Sequence, residues 1–498
     1  MNGTRSRTHT GDSTDNQTTN SDATIGQTSL TPEWIERVGI MNDYVSIPYA
    51  NGSSFASQFL YRELESRGHQ VTVVGPADPD ATAKTLPPRH VSLASLPLRN
   101  HPGVHLPMPS RRGLAELANQ KFDLVLGQTC TALMDVGVWL RQIQRIPLVL
   151  VNTVHLPSVY NTLLPEALNR SEQVHSLFQS RLIPWVEGQT VDIYNRGDGL
   201  IVLSPGLKTY WRDRGVTVPI HVIGRAVEPK IFDRPAGADP YPSGAQKGGR
   251  LLVVCRHVRE KSVSRLLKTF ARYVSPRHPE ASLTLVGDGP DHEQFISEAA
   301  KLGIEERTFF VGEQSQTDIM EYYAHGDLFV YTSLSETYGQ VVTEALWCGM
   351  PVVAFHDGMG VSGQIASGED GELIDPSRGQ DSDEEFGSKV AALLGDVARR
   401  QSFAAEAKRR ARLRANPEMC IQRYYEAFEE ARMHLGQAGP KGSQSSRSKE
   451  PSASKLKPLV PLARMAGLHS LVLALGLIRP PARVNRNGSA TPSWTLSV

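Results

Sequence analysis

The sequence predicts an α/β protein of two similar-sized, doubly wound parallel-sheet units with a ligand cleft between them. Three observations carry that expectation. Short runs that are apolar at nearly every position alternate with helical patterns along most of the chain. The alternation breaks once, at a Pro/Gly-rich stretch, and then restarts. Strands apolar on both faces need helices over both faces, which is the parallel arrangement. The length of 498 residues, 40% of them hydrophobic, is enough for two cores with tails to spare.

The elements follow in order. Residues 1 to about 33 are Thr, Ser, Asn and Asp with almost nothing to bury, so a disordered polar tail is expected. RVGIM (37–41) reads as the first strand and NDYVSIPYANG as a loop. In the helical stretch SSFASQFLYRELESRG, Phe55, Phe59, Leu60 and Leu64 fall at helical spacing and Gly68 stops it. QVTVVGP is the next buried strand. FDLVLG (122–127), IPLVLVNT (146–153), GLIVLS (199–204) and IHVIG (220–224) continue the first unit, separated by helices such as TALMDVGVWLRQIQ. RPAGADPYPSGAQKGG (234–249) reads as a linker. RLLVVC (250–255), ASLTLVG (281–287), RTFFVG (307–312), DLFVYT (327–332) and PVVAF (351–355) then alternate with helices as a second unit. Residues 399–435 are helical. The expected domains are therefore 34–233 and 250–415, with a helix at 416–435 returning to the first of them and a low-complexity linker and basic, apolar tail at 436–498.

That tail contains LVPLARMAGLHSLVLALGLI (459–478), flanked by Lys455, Lys457, Arg464, Arg479, Arg483 and Arg486. Its uncharged run of 14 residues is short of the roughly 20 that span a bilayer. A segment lying on an anionic membrane surface, over 455–486, is the expectation; a helix docked on the protein itself or a disordered end is the alternative. Charge elsewhere excludes little but is still useful. Lys plus Arg (53) against Asp plus Glu (52) leaves +1, which argues against a nucleic-acid partner. Cys130, Cys255, Cys348 and Cys420 form no CxxC pair and no His/Cys cluster, against a disulfide scaffold or zinc ribbon and for a reducing compartment. No apolar signal region follows the N-terminal arginines, so a cytoplasmic protein is expected.

The densest chemical signal is SETYGQVVTEALWCGMPVVAF, with Glu336 and Glu344 eight residues apart and Tyr338-Gly339 between them. The first glutamate falls in the loop after DLFVYT and the second inside the next helix, near the sheet edge where α/β proteins bind ligands. The amides of Gly339, Gln340 and Val341 open that helix and suit a phosphate. A carboxylate one or two turns further on can accept from a ribose diol. By themselves, two such glutamates are more often a helix cap and a solvated helix residue.

The Glu–seven residues–Glu pattern resembles the signature of the family 4 (group 1) retaining glycosyltransferases, which have the two-domain GT-B fold. VVCRHVREKSVSRLLKTF (253–270) resembles the family segment that supplies an arginine and a lysine to the donor diphosphate, here Arg256 and Lys261. LVGDGPDHEQF (285–295) and the run through Pro351 keep the register, and the resemblance covers about residues 36–435. IPYANGSSFASQFLYRELESRGHQVTVV resembles the opening strand, glycine loop and helix, placing Asn51-Gly52 near the donor phosphates. LVLVNTVHLPSVYNTLLPE resembles the segment whose histidine reaches the sugar, which implies His155. VIGRAVEPKIF (222–232) resembles the interdomain segment, but Ala226-Val227-Glu228 replaces its usual Gly-Val-Asp, so Glu228 takes no catalytic role. HDGMGVSGQIASGEDGELI departs from the family's Gly-Gly run; Asp357, Gly358 and Gly360 are expected at the donor loop. Gly358, Gly360 and Gly363 also spell GxGxxG, but at the end of a domain rather than in its first turn. Asp78-Pro79-Asp80 and Asp381-Ser382-Asp383 are read as accidental DxD strings, since the resemblance calls for no metal.

The resemblance thus implies a Rossmann-like pair of domains that transfers a hexose from a UDP- or GDP-linked sugar to a hydroxyl acceptor with retention. The implied catalytic residues are His155, Arg256, Lys261 and Glu336. Gly52, Arg256, Lys261, Glu336, Tyr338, Gly339, Gln340, Val341 and Glu344 are the implied donor contacts, with no metal and no cofactor. The tail hints at a membrane lipid as acceptor, with Arg181 and LFQSRLIPW (177–185) on the acceptor side. A GT-B nucleotide-sugar epimerase and a non-catalytic sugar-nucleotide-binding membrane scaffold are the competing functions.

Overall fold

The computed structural model describes residues 31–43, 52–97, 105–154, 176–334 and 336–437. Its first sheet begins with β1 (Arg37–Asn42), followed by α1 (Gly52–Ser66), β2 (Gln70–Pro76) and β3 (His90–Leu93). An antiparallel pair, β4 (Ser95–Pro97) and β5 (His105–Pro107), stands beside it. Then come α2 (Arg111–Asn119), β6 (Leu124–Gln128), α3 (Leu133–Gln144), β7 (Leu148–Val151), α4 (Ile183–Tyr194), β8 (Gly199–Val202), α5 (Pro205–Asp213) and β9 (Ile220–Val222). The sheet order is β3-β2-β1-β6-β7-β8-β9, parallel throughout.

Period-two alternation within the apolar runs sorts side chains between two layers. On β1, Val38 and Ile40 meet Leu60 and Leu64 of α1, while Met41 joins the opposite cluster with Leu133 and Val136 of α3. All of these are fully buried, each contributing about 1.5–3 kcal/mol of transfer free energy. β3, the β4–β5 pair and α2 were not among the sequence expectations. The strands are only three or four residues long and carry Ser, His and Pro, so they offer no apolar run to detect.

The second sheet contains β10 (Arg250–Val254), β11 (Ser282–Val286), β12 (Thr308–Phe310), β13 (Leu328–Tyr331), β14 (Val352–Phe355) and β15 (Gly371–Ile374), in the order β12-β11-β10-β13-β14-β15 and again all parallel. Its principal helices are α6 (Val263–Thr269), α7 (His292–Lys301), α8 (Gln316–His325), α9 (Gln340–Trp347), α10 (Gln380–Gly395) and α11 (Val397–Arg414). Residues 234–249 carry no helix or strand, yet the stretch is anchored. Tyr241 is buried, donates to the Tyr322 carbonyl at 3.0 Å and lies under the Arg250 guanidinium at 4.5 Å.

The stretch 399–435, expected to be helical, forms two helices, α11 and α12 (Pro417–Gln437). Pro417 lacks an N–H and disfavours helical geometry at Asn416, and the Asn416 side chain then accepts from the Glu418 amide at 2.8 Å. The break turns α12 back onto the first sheet, where Ile421, Tyr424, Tyr425 and Phe428 pack with Val149, Val151 and Ile201. His69 joins the two through Ile35 O at 2.7 Å and Tyr425 OH at 2.8 Å. The four cysteines are free thiols.

Candidate active site

The strand order of the second sheet decides where a site can form. β10 pairs with β11 on one side and β13 on the other, so the order in which strands are laid down reverses there and the loops leaving β10 and β13 open side by side. The first of these loops carries Arg256 and Lys261, the second Glu336. Lys261 ends a tight turn, Arg259–Lys261, and Ser262 follows it with φ +55° before α6 begins. Thr332 ties the two loops together, its hydroxyl donating to the carbonyls of Lys261 and Ser262 at 3.2 and 3.1 Å.

Within that frame the Lys261 ammonium is ion-paired and hydrogen-bonded to Glu336 Oε1, with side-chain exposures of 19% and 14%. Tyr331 OH and Ser333 Oγ each donate to the same oxygen at 2.8 Å. Burial pushes the Glu336 carboxyl up, but the Lys261 charge and these donors outweigh it and hold the group below the usual carboxylate range. Burial likewise works against the Lys261 charge, and the facing carboxylate more than offsets it, raising the ammonium. The pair is therefore a fixed, ionised contact.

α9 starts beside it. Gly339 precedes the helix at φ +79°, a conformation that costs a side-chain-bearing residue energy, and no side chain caps the helix. Amides at an uncapped helix start, here following Gly339, are donors for an anion. Gln364 holds the turn, donating to the carbonyls of Gly339 and Gly360 at 3.2 and 3.1 Å. Asp357 is committed to its own loop: it accepts from the amides of Met359, Val361 and Ser362 at 2.9–3.0 Å. Gly360 donates to Glu336 O at 3.0 Å and passes so close that a Cβ would lie 2.6 Å from Tyr338 Cα and N. Both neighbours are backbone. Gly360→Ala should therefore displace the Glu336–Gly339 turn and destabilise the protein by about 1–3 kcal/mol; urea unfolding measures the loss.

Tyr338 fastens this turn to the first unit. It is buried in that unit's core cluster, and its hydroxyl donates to Arg225 O at 3.1 Å. Gln340 Nε2 reaches Ala226 O at 3.4 Å. Glu228, on the same crossing segment, faces away and pairs with Arg62 of α1 at 2.7 Å. Glu344 lies inside α9, 5% exposed, and accepts from Tyr323 OH at 3.2 Å. Burial raises its carboxyl to about 7, against weaker opposition from the Tyr323 and Gln340 donors. Arg256 is exposed and makes no ion pair among the described residues.

The structure thus brings Lys261, Glu336, Tyr338, Gly339 and Gln340 together, with Val341 in the first turn of α9 and Glu344 further along it. Gly52 opens α1. His155 and Asn51 lie outside the described residues, as do 455–486 and the tail as a whole. Arg181 is on the short turn entering α4, away from any ion pair among the described residues. Tyr331, Ser333, Gln364 and Arg225 were missed. Tyr331 hides in an apolar strand, and nothing in the local pattern around Gln364 or Arg225 marks either. A cavity of about 720 Å³ behind the Arg259–Lys261 turn is lined by Arg259, Arg265, Lys268 and Arg272, but Asp383 and Glu298 already pair with two of these. Among the described residues no three metal-capable side chains cluster, and neither DxD string is part of such a group.

Residues 243–410 match the family model described as glycosyl transferases group 1, and residues 51–230 match that described as glycosyltransferase family 4. Together the two span more than half of the chain. A D-inositol 3-phosphate glycosyltransferase of Rhodococcus opacus (strain B4) is 35% identical over 154 residues, 29% of this chain and 33% of the relative. An N-acetyl-alpha-D-glucosaminyl L-malate synthase of Bacillus anthracis is 32% identical over 133 residues, 26% of this chain and 34% of the relative. The alignments thus span about a third of the length of these curated relatives. Among solved structures, a sucrose-phosphate synthase from Thermosynechococcus elongatus superposes with TM-score 0.60 at 20% identity, covering 80% of this chain and 99% of the other. HepE of Anabaena, in complex with UDP and glucose, gives 0.57 at 19%, covering 79% and 99%.

Proposed function

Since the chain belongs to the family 4, group 1 glycosyltransferases and has the GT-B fold, we propose that it moves a hexose from a UDP- or GDP-linked sugar to a hydroxyl acceptor with retention of configuration. The observation that carries this reading is the ionised Lys261–Glu336 pair beside the uncapped start of α9, at the point where the strand order reverses. Arg256, Lys261 and the amides from Gly339 to Val341 hold the donor diphosphate. They stabilise the charge that grows on it as the glycosidic bond breaks. Glu336 turns its second oxygen to the sugar hydroxyls while its first holds Lys261. Glu344 accepts from the ribose. Gly52 lets the first unit's backbone approach the phosphates, and His155 reaches the sugar from that side.

Retention without a nucleophile on the protein corresponds to attack on the face the diphosphate leaves, with a departing phosphate oxygen taking the acceptor proton. No metal or cofactor enters the proposed reaction. The acceptor we propose is a membrane lipid, supported by the basic, apolar stretch 455–486; no helix among the described residues is long and apolar enough to cross a membrane.

The test is donor consumption by the purified full chain against a panel of UDP- and GDP-sugars, with and without mixed membrane lipids. Nucleoside diphosphate release that depends on lipid, and is lost in an Arg256→Ala/Lys261→Ala variant, is expected. Donor binding with no release across a broad acceptor panel would sink the reading.

A further inference from the structure

Arg225 stands on the segment that leaves β9 and crosses to the second sheet. Its carbonyl and the backbone groups of its neighbours are tied down on several sides. Gly224 O accepts from Cys420 Sγ at 3.5 Å, Arg225 O from Tyr338 OH at 3.1 Å and Ala226 O from Gln340 Nε2 at 3.4 Å, while Val227 N donates to Ala415 O at 3.0 Å. These contacts clamp the crossing between the turn that opens α9 and the junction of α11 with α12. The side chain is used quite differently. Its Nε is buried with no hydrogen-bond partner, and no carboxylate pairs with the guanidinium among the described residues.

The ionisable groups acting on that guanidinium are Tyr424 of α12, Tyr338 and Glu336. Two are neutral phenols. The third is already committed to Lys261. Burial therefore works against the Arg225 charge with little to offset it, lowering its pKa. A half-buried guanidinium whose Nε is sealed from water, and which cannot deprotonate at working pH, is stabilised by an anion. The donor site needs a cation for the complementary reason. A nucleoside diphosphate is a polyanion, and the Lys261 charge is shared with Glu336, while Arg256 on the same loop makes no ion pair among the described residues.

We propose that Arg225 is a third donor-binding cation, whose guanidinium binds a phosphate oxygen of the nucleotide diphosphate beside Arg256 and Lys261. The proposal rests on the glycosyltransferase reading. It adds that the crossing segment, and not the second domain alone, binds the leaving group. The Gly-Val-Asp core of the family segment is altered here, and the acid that stands in it, Glu228, is held by Arg62 away from Arg225.

The experiment compares full-length wild type with Arg225→Gln and Arg225→Lys, titrating each with UDP and uridine, and with GDP and guanosine. The glutamine variant is expected to bind the diphosphate at least about 30-fold more weakly, with nucleoside affinity unchanged and the melting temperature not lowered. The lysine variant keeps the charge without the two-pronged geometry and should recover part of the loss, as should free guanidinium added to Arg225→Ala. Equal loss of nucleoside and diphosphate binding with a lowered melting temperature would mean that Arg225 only supports the fold, overturning the proposal. So would unchanged affinity for both. If wild type binds a nucleoside diphosphate and the variants match it, the Arg225 assignment fails alone. If wild type binds none and consumes no sugar donor, the transferase reading fails and this proposal falls with it.

Discussion

Replacing Lys261 with alanine is expected to lower donor turnover by about 10³-fold and to destabilise the fold by about 3 kcal/mol. The two effects have one origin. Without the ammonium, the Glu336 carboxylate stays in a mostly enclosed site with only the Tyr331 and Ser333 hydroxyls for compensation. Its charge is then uncompensated, and the diphosphate site loses one of its cations. The variants separate the two. Lys261→Ala/Glu336→Gln removes the orphaned charge and should recover most of the stability in urea unfolding while turnover stays lost. Were the single and double variants equally unstable, the ion pair would not be what holds these loops together.

The pH dependence has a definite sign. The folded Glu336 carboxyl titrates below its ordinary value of 4.5. Its contribution is therefore present above that value and lost as pH falls through the depressed folded value. The folded Lys261 ammonium titrates above its ordinary 10.5, so its contribution persists through neutral pH and is lost only in strong alkali. The stability gap between wild type and the double variant should accordingly close in acid.

Glu344→Gln is expected to act in the opposite direction on stability. Burial holds the Glu344 carboxyl near pH 7, so the folded state keeps a proton that the unfolded chain loses near 4.5. Stability from this group is full below 4.5 and falls as pH rises to about 7, by about 3 kcal/mol in all. Glutamine cannot ionise and escapes that loss. The variant should match wild type near pH 4.5 and exceed it at pH 8 by up to that amount, read from urea unfolding at the two values. Function should move the other way. A ribose diol donates best to an ionised carboxylate, so wild-type donor KM should rise as pH falls below 7, while the variant has a high KM at every pH. A pH-independent stability difference would place the ionisation elsewhere.

Parts of this site were legible because they are local. Glu336, Gly339 and Glu344 sit on one loop-and-helix unit, and Arg256 and Lys261 on one turn, so spacing along the chain fixes each group. Lys261 and Glu336 are 75 residues apart, and no spacing rule joins them. Their contact follows from β10 and β13 being neighbours in the sheet, with Thr332 bridging the loops. Tyr331 reads as one more strand residue until Glu336 folds back over it. Arg225 is the furthest from view, because an arginine looks solvated in a sequence and only the assembled structure seals its Nε from water. The helix break at Asn416 is legible in Pro417, next to the expected boundary between 415 and 416.

By itself the sequence determined the class of fold, the order of its principal strands and helices, and the chemical groups available at two loop ends. Periodicity and residue type act over a few residues, and the chain carries both directly. The tertiary structure decided which groups meet, which are neutralised and which are left without a partner. Those outcomes depend on strand order and on desolvation, which belong to the assembled core rather than to any one segment. Lys261 and Arg225 are both basic residues in the sequence; burial opposite a carboxylate makes one a fixed pair, and burial without one leaves the other in need of an anion.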